Sequence, residues 1–274
     1  FFVLFISFVG YLFGVYTGFS WLGLVFALAL SMLLVLAQYY NGDKWILKMS
    51  GVREPTKKEN VYLLNTVEGL AIAAGVPTPK VYIIEDTAPN AFATGRDPKH
   101  ASIVVTTGLL QKMNRSELEG VIGHEMSHVK NFDTRYMMLV VVMVAVIVFL
   151  SDWFWRMSWR SRGGRENKGG IVIIAIALFL AIFAPLIAYL VRFAASRRRE
   201  YLADADGALL TRNPDGLASA LEKIAKDKEP LEAANKGTAP LYIVNPLKNY
   251  SGKINGLFST HPPIEERVKR LKEM

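Results

Sequence analysis

The sequence predicts a mainly α-helical chain with a small β-sheet and four hydrophobic membrane segments. Three observations predict this. Four apolar runs stand out: Phe1 to about Thr17, Ser20 to about Gln38, Met137 to about Phe149 and Ile171 to about Val191. The first two are each close to the roughly 20 residues that cross a bilayer. The intervening polar stretches show helical periodicity and two short β-branched runs. Finally, one predicted helix carries His124, Glu125 and His128 in the spacing HExxH.

Composition sets the limits. A chain of 274 residues holds one sizeable domain, or a small domain plus membrane spans. Hydrophobic content of 51% beside 20% charged residues suggests segregation into apolar and polar blocks. The absence of cysteine excludes disulfides, thiolate zinc fingers and cysteine nucleophiles. A net charge of +8 raises the question of nucleic acid. However, the basic residues cluster at the ends of apolar runs, where anionic headgroups lie. Membrane lipids, and no nucleic acid, are therefore the expected partners. The start at Phe1, without methionine or a charged lead, suggests a missing or processed N-terminus.

The first two runs are joined by Gly18-Phe19, an uncharged link suited to a tight hairpin. With no small-residue cleavage site between them, a cleaved signal peptide is disfavoured. Gly10, Gly14 and Gly18 make two overlapping GxxxG steps, which suit close helix packing or reflect the commonness of glycine in membrane helices. From Tyr39 to Arg135 the composition is that of a soluble domain. Asn60 to Ala74 reads as a helix, Lys80 to Glu85 and Ser102 to Thr106 as strands. Asn90-Ala91-Phe92-Ala93 reads as an extended piece ending in a turn at Thr94-Gly95. His100 lies in a polar, exposed turn.

The next helix is predicted to open with Ser116 as N-cap and Glu119 closing a capping box. Leu118, Val121, Ile122 and the two histidines share its buried side. Lacking a proline or glycine stop, it should run through Lys130-Asn131-Phe132-Asp133 into the third apolar run. The fourth run, with a kink at Pro185, follows a basic connector. Helices are then expected over Ala203 to about Thr211, Asp215 to Lys226 and Ile264 to Leu271, with a loose stretch at Glu229 to Pro240. The predicted organisation is 1–38 as a transmembrane hairpin and 39–136 as the first part of a catalytic domain. Segment 137–191 is a second hairpin, and 192–274 is the remainder of that domain.

The chemistry rests on spacing. Residues four apart leave a helix on one face, so His124 and His128 can grip one Zn2+, with Glu125 beside it as proton acceptor. A third ligand is required. Glu200 is the best candidate, its alternative role being an ion pair with the nearby arginines. Asp204, one turn on, faces the same way and suits the free N–H of a ligating histidine; Asp206 is the alternative. His128 lies nine residues before Met137 and Glu200 nine after Val191, about 13 Å beyond each apolar run in continuous helices. Antiparallel helices would thus bring the ligands to one height just outside the membrane.

HEMSHVKNFD, RRREYLADADGA and STHPPIEER, in that order, resemble the HtpX-type M48 family of membrane zinc proteases, related to the Ste24 CAAX proteases. The resemblance runs from about Asn60 to Met274 and implies a gluzincin-like HExxH metalloprotease domain. It further implies that Asn90, Ala91 and Phe92 lie along a substrate cleft, where a strand edge can pair with a peptide; an ordinary surface loop is the alternative. It places His261 and Arg267 near that cleft as catalytic residues, where a histidine or arginine can stabilise an oxyanion; a histidine before Pro-Pro can also merely hold a loop. A cytoplasmic catalytic side is implied too. Arg192, Arg197, Arg198 and Arg199, with Lys44 and Lys48, favour that side, whereas the connector Arg156 to Gly170 carries five basic residues and one acidic and would then face outward. Either the rule is overridden or the second hairpin does not fully cross.

The expectation is thus a multi-pass plasma- or inner-membrane endopeptidase with one Zn2+ per chain, His124, His128 and Glu200 as ligands and Glu125 as base. Its expected substrates are polypeptides, above all damaged or misfolded membrane proteins. Two alternatives stand beside it: a Ste24-like processing peptidase, and a non-catalytic membrane scaffold with structural zinc. Four spans look too few for the enclosed chamber of the first. A closed structural site usually has four protein ligands, and only three are evident.

Overall fold

A computed structural model of the chain describes residues 2–56, 60–141, 143, 156, 197–234, 238–244 and 261–274. The chain divides into two units, Phe1–Asn41 with Val142–Leu190, and Gly42–Val141 with Val191–Met274. The basic connector, the Pro185 kink and most of the third and fourth apolar runs lie outside the described residues.

In the first unit, α1 (Phe2–Thr17) and the start of α2 (Ser20–Met49) form the expected hairpin about Gly18-Phe19. Its helices touch through backbone. A Cβ on Gly10 would stand 2.1 Å from Ala27 Cβ, and one on Gly23 would stand 2.5 Å from Gly10 O and 2.7 Å from Gly14 Cα. Gly10 and Gly14 therefore do serve close packing. Helix α2 does not stop at Gln38. It continues to Met49, because Asn41-Gly42-Asp43-Lys44 holds neither a proline nor a left-handed cap, and its end buries Ile46 and Leu47. Among the described residues, Trp21–Met49 is the one helix long and apolar enough to cross a membrane. The described part of the chain thus shows one clear span candidate, not four.

The second unit is mainly helical with a small mixed sheet. Its elements are α3 (Val61–Ala74), β1 (Lys80–Ile84), β2 (Ala91–Thr94), β3 (Ser102–Thr106), α4 (Thr107–Lys112), α5 (Arg115–Lys130), α6 (Arg197–Thr211), α7 (Pro214–Lys226) and α8 (Ile264–Lys272). The sheet order is β1-β3-β2. β3 runs parallel to β1, with Tyr82 opposite Val104, and antiparallel to β2, with Phe92 opposite Val104. The middle strand is buried throughout, which explains its unbroken β-branched run. Ile83, Ile103 and Val105 pack with Leu63 and Val67 of α3 and Val121 and Ile122 of α5, all essentially inaccessible. Burial stabilises each such side chain by about 1.5–3 kcal/mol. Leu217, Leu221 and Ile224 of α7 and Ile264, Val268 and Leu271 of α8 close the core with helical spacing.

Two sequence expectations for α5 are corrected. The N-cap is Asn114, not Ser116: its side chain accepts from Glu117 N at 2.9 Å, and Glu117 accepts from Asn114 N at 2.9 Å. Asn114 and Ser116 are both good caps and each precedes a glutamate by three. The tie is broken by Ser116, which receives a hydrogen bond from Asn213 Nδ2 at 2.7 Å and so is held by α7's entry. The helix also does not run on without a break. It ends at Lys130, with Asn131 as C-cap and Phe132 in the left-handed region at φ 60°, and helical structure resumes over 133–141. No glycine or proline announces this break, which is why periodicity misses it.

Candidate functional site

α5 and α6 cross in backbone contact. A Cβ on Gly207 would lie 2.8 Å from His124 N and 3.1 Å from Gly123 C. Only a residue without a side chain allows this approach, and it brings the first turn of α6, with Glu200, over the histidine face of α5. His124 Nε2 and His128 Nε2 stand 3.2 Å apart. Glu200 Oε1 is 3.6 Å from His128 Nε2, and Oε2 is 3.8 Å from His124 Nε2.

The three side chains fit a metal ion. Their ligand atoms all lie within 4.8 Å of one another. Atoms about 2.0–2.2 Å from a shared tetrahedral ion stand roughly 3.3–3.6 Å apart, close to the spacings found. Glu200 Oε2 is buried with no hydrogen bond; its neighbours remain at 3.5 Å (His261 Nε2), 3.6 Å (Arg267 Nη1) and 3.8 Å (His124 Nε2). Such an oxygen is costly to bury unless something positive fills the gap.

Each histidine is fixed by a carboxylate on its other nitrogen. His124 Nδ1 is 2.9 Å from Asp204 Oδ1. Asp204 is in turn gripped by Arg267, Nε to Oδ2 at 2.8 Å and Nη2 to Oδ1 at 2.7 Å. His128 Nδ1 is 3.1 Å from Asp133 Oδ2, and Asp133 Oδ1 accepts from Arg199 Nη1 at 2.8 Å. Asp206 takes a different post: it accepts from Ser127 Oγ at 3.0 Å and Asn131 Nδ2 at 2.9 Å, lashing α6 to the end of α5.

Charge is spread unevenly over the site. Burial lowers the His124 pKa, despite Asp204 beside it. His128 is buried too, but Asp133, Glu200 and Glu125 overcome the desolvation and push it up to about 9. Burial raises Glu125 to about 7, against His128 and helped by the Glu200 charge. His261 is held down to about 4, chiefly by burial, and so is neutral at physiological pH. Asp204 is buried, yet Arg267 and His124 keep its carboxyl well below the usual carboxylate range.

β2 passes beside this cluster. Ala93 donates its N–H to Glu125. By strand alternation Ala91 points its backbone to the same outer edge, where its carbonyl accepts Ile243 N at 2.9 Å. Asn90 Nδ2 donates to Val244 O at 3.0 Å, and Phe92 is fully buried against Tyr242, ring centroids 5.0 Å apart. Residues 242–244 thus cap the β2 edge at Ala91. Arg267 Nη1 reaches the same segment, donating to Ile243 O at 3.1 Å.

The structure therefore brings together His124, Glu125, His128, Glu200, Asp204, His261 and Arg267, with Asn90, Ala91 and Phe92 along one side. Arg267 has its guanidinium donors engaged by Asp204 and Ile243. His100 pairs with Asp97 at 2.7 Å, away from the cluster. Sequence reasoning misses Asp133 and the 242–244 cap. Five residues past His128, Asp133 would lie about 140° around an unbroken helix, and only the turn at Phe132 redirects it. The cap depends on a contact between segments some 150 residues apart, and nothing local signals it.

Residues 57–274 match the family model described as peptidase family M48. The chain is 58% identical over 236 residues to a "Protease HtpX homolog" of Dictyoglomus thermophilum, covering 86% of this chain and 77% of the relative. A protein of the same description from Lactobacillus helveticus is 44% identical over 274 residues, covering 97% of this chain and 90% of the relative. Among solved structures, the crystal structure of S. mikatae Ste24p matches with a TM-score of 0.55 at 18% identity. That match covers 97% of this chain but 62% of the Ste24p chain, and it speaks to the fold alone.

Proposed function

Since this chain belongs to peptidase family M48, we propose that it is an integral membrane, zinc-dependent endopeptidase with His124, His128 and Glu200 as metal ligands. The observation that carries this reading is the convergence of those three side chains next to a buried carboxylate, Glu125, whose pKa is raised by its burial. When bound, the ion supplies Lewis acidity toward water and the scissile carbonyl. Glu125 accepts a proton from the attacking water and delivers it to the leaving amine as the C–N bond breaks. A pKa near the working pH suits a group that must do both. His261, neutral and at the cluster, donates an N–H to the oxyanion that develops on the carbonyl. Arg267 acts one step back, holding Asp204 and hence the His124 ring.

Polypeptide substrates pair with the outer edge of β2 beside Glu125. The Ile243 contact bounds that edge at Ala91 and Glu125 takes the Ala93 N–H, so the Ala93 carbonyl is the group from which pairing extends. In the organisation we propose, 1–38 and 137–191 form two hairpins in the plasma or inner membrane. Segments 39–136 and 192–274 form the catalytic domain on the cytoplasmic side. The exposed apolar side chains Trp21, Leu22, Val25, Phe26 and Leu33 of α2 face lipid. Damaged or misfolded membrane proteins are the substrates this reading assigns.

The test is cleavage of casein by the detergent-solubilised full chain, with zinc, with chelator, and in the Glu125→Gln variant. Zinc-dependent cleavage that Glu125→Gln loses while still binding zinc is the expected result. A wild-type chain that is folded and holds stoichiometric zinc yet cleaves nothing would move the assignment to a non-catalytic zinc-bearing scaffold.

A further inference from the structure

We infer that Asp133 is a positioning residue for the metal site, a clamp that fixes the His128 ring and ties it to the helix carrying Glu200. This rests on the metal reading above and adds to it a residue on which the affinity of the site depends.

The argument begins with the backbone. Phe132 has φ 60°, and it and Arg212 are the two non-glycine residues in the left-handed region among those described. A bulky side chain there is strained, so the conformation persists only if its surroundings require it. Its effect is local and specific: two residues beyond the end of α5 at Lys130, it breaks the helix and swings Asp133 back toward His128. The Asp133 carboxylate is buried, at 7% exposure, and both of its oxygens are used. Oδ2 meets His128 Nδ1 at 3.1 Å, which sets the ring with Nε2 turned toward His124 and Glu200. Oδ1 takes the Arg199 guanidinium at 2.8 Å, and Arg199 immediately precedes Glu200 in α6. One carboxylate therefore links two ligands from segments about 70 residues apart. Asp206 reinforces the same junction through Ser127 and Asn131. On the other side of the site, Asp204 and Arg267 do the equivalent for His124. The site is thus braced by two carboxylate–arginine pairs, one per histidine.

A carboxylate behind a ligating histidine fixes its tautomer and raises its basicity, and its loss typically weakens metal binding 10–100-fold. The experiment measures zinc dissociation constants by chelator competition on the detergent-solubilised full chain: wild type, Asp133→Asn, Asp133→Ala, and Arg199→Gln. Asp133→Ala is expected to weaken zinc about 10–100-fold. Asp133→Asn, which can still accept the Nδ1 proton, should fall between it and wild type. Arg199→Gln should give a smaller loss. Thermal unfolding of the zinc-free proteins separates this from a merely structural role, since that role would lower the zinc-free Tm and leave the dissociation constant alone. If Asp133→Ala fails to fold, Asp133→Asn carries the same comparison. A wild-type chain that binds zinc tightly, with Asp133 variants binding it equally well, would overturn the clamp alone. A folded wild-type chain that binds no zinc would overturn the metal reading and the clamp together.

Discussion

Arg267 and Asp204 form a fully buried, two-pronged ion pair, with Nε–Oδ2 2.8 Å and Nη2–Oδ1 2.7 Å, immediately behind His124. Helical spacing explains how an arginine comes to lie in a core: Ile264, Arg267, Val268 and Leu271 share the inner face of α8. Removing one member strands the other. Arg267→Ala is expected to destabilise the chain by about 3–5 kcal/mol, because it leaves the buried Asp204 carboxylate without its cationic partner. Arg267→Lys should cost less but still weaken zinc binding, since an ammonium cannot reproduce the fork. Denaturant unfolding in detergent, with zinc titrations, checks both.

Zinc affinity should rise with pH. His128 is pushed up to about 9 by Asp133, Glu200 and Glu125 in spite of its burial, so at neutral pH an incoming ion must displace a proton from it. The expected dependence is close to tenfold tighter binding per pH unit, levelling off as pH approaches about 9. Competition titrations between pH 6 and 9 measure the slope. A flat profile would show that His128 carries no proton to displace.

Glu117 makes the fold sensitive to acid. Burial favours its neutral form, but hydrogen bonds from Lys223 at 2.7 Å, Ser219 at 2.6 Å and Asn114 N at 2.9 Å outweigh this and lower its pKa from 4.5. A lowered carboxyl pKa stabilises the folded state above the unfolded value, and that stability is lost as pH falls through the folded one. Glu117→Gln should therefore be less stable than wild type at pH 7, with the gap closing below about pH 4. Unfolding free energies at the two pH values decide it.

Gly207 is predicted to be intolerant even of alanine. The added methyl would sit 2.8 Å from His124 N, a backbone atom that cannot move without α5. Gly207→Ala should cost about 1–3 kcal/mol from overpacking and, by lifting α6, should lower zinc affinity as well. A variant with reduced stability but unchanged zinc binding would mean that α6 slides without shifting Glu200.

The sequence by itself determined what depends on local spacing. His124, Glu125 and His128 lie within one helix, where 3.6 residues per turn sets their relative directions whatever else the chain does. The same holds for Glu200 with Asp204 on α6, for the inward face of α8, and for the β-branched runs that became β1 and β3. Tertiary structure decided the rest. Asn114, not Ser116, caps α5, because the α7 entry engages Ser116. Asp133 reaches His128 because a single left-handed residue, Phe132, breaks a helix that periodicity would have continued. The edge of β2 is bounded at Ala91 by Ile243, a pairing made across some 150 residues. His124, His128 and Glu200 converge only because Gly207 lets two helices touch. Periodicity constrains directions within an element, whereas the approach of two elements is set by the packing of the whole core, and no short stretch of sequence encodes it.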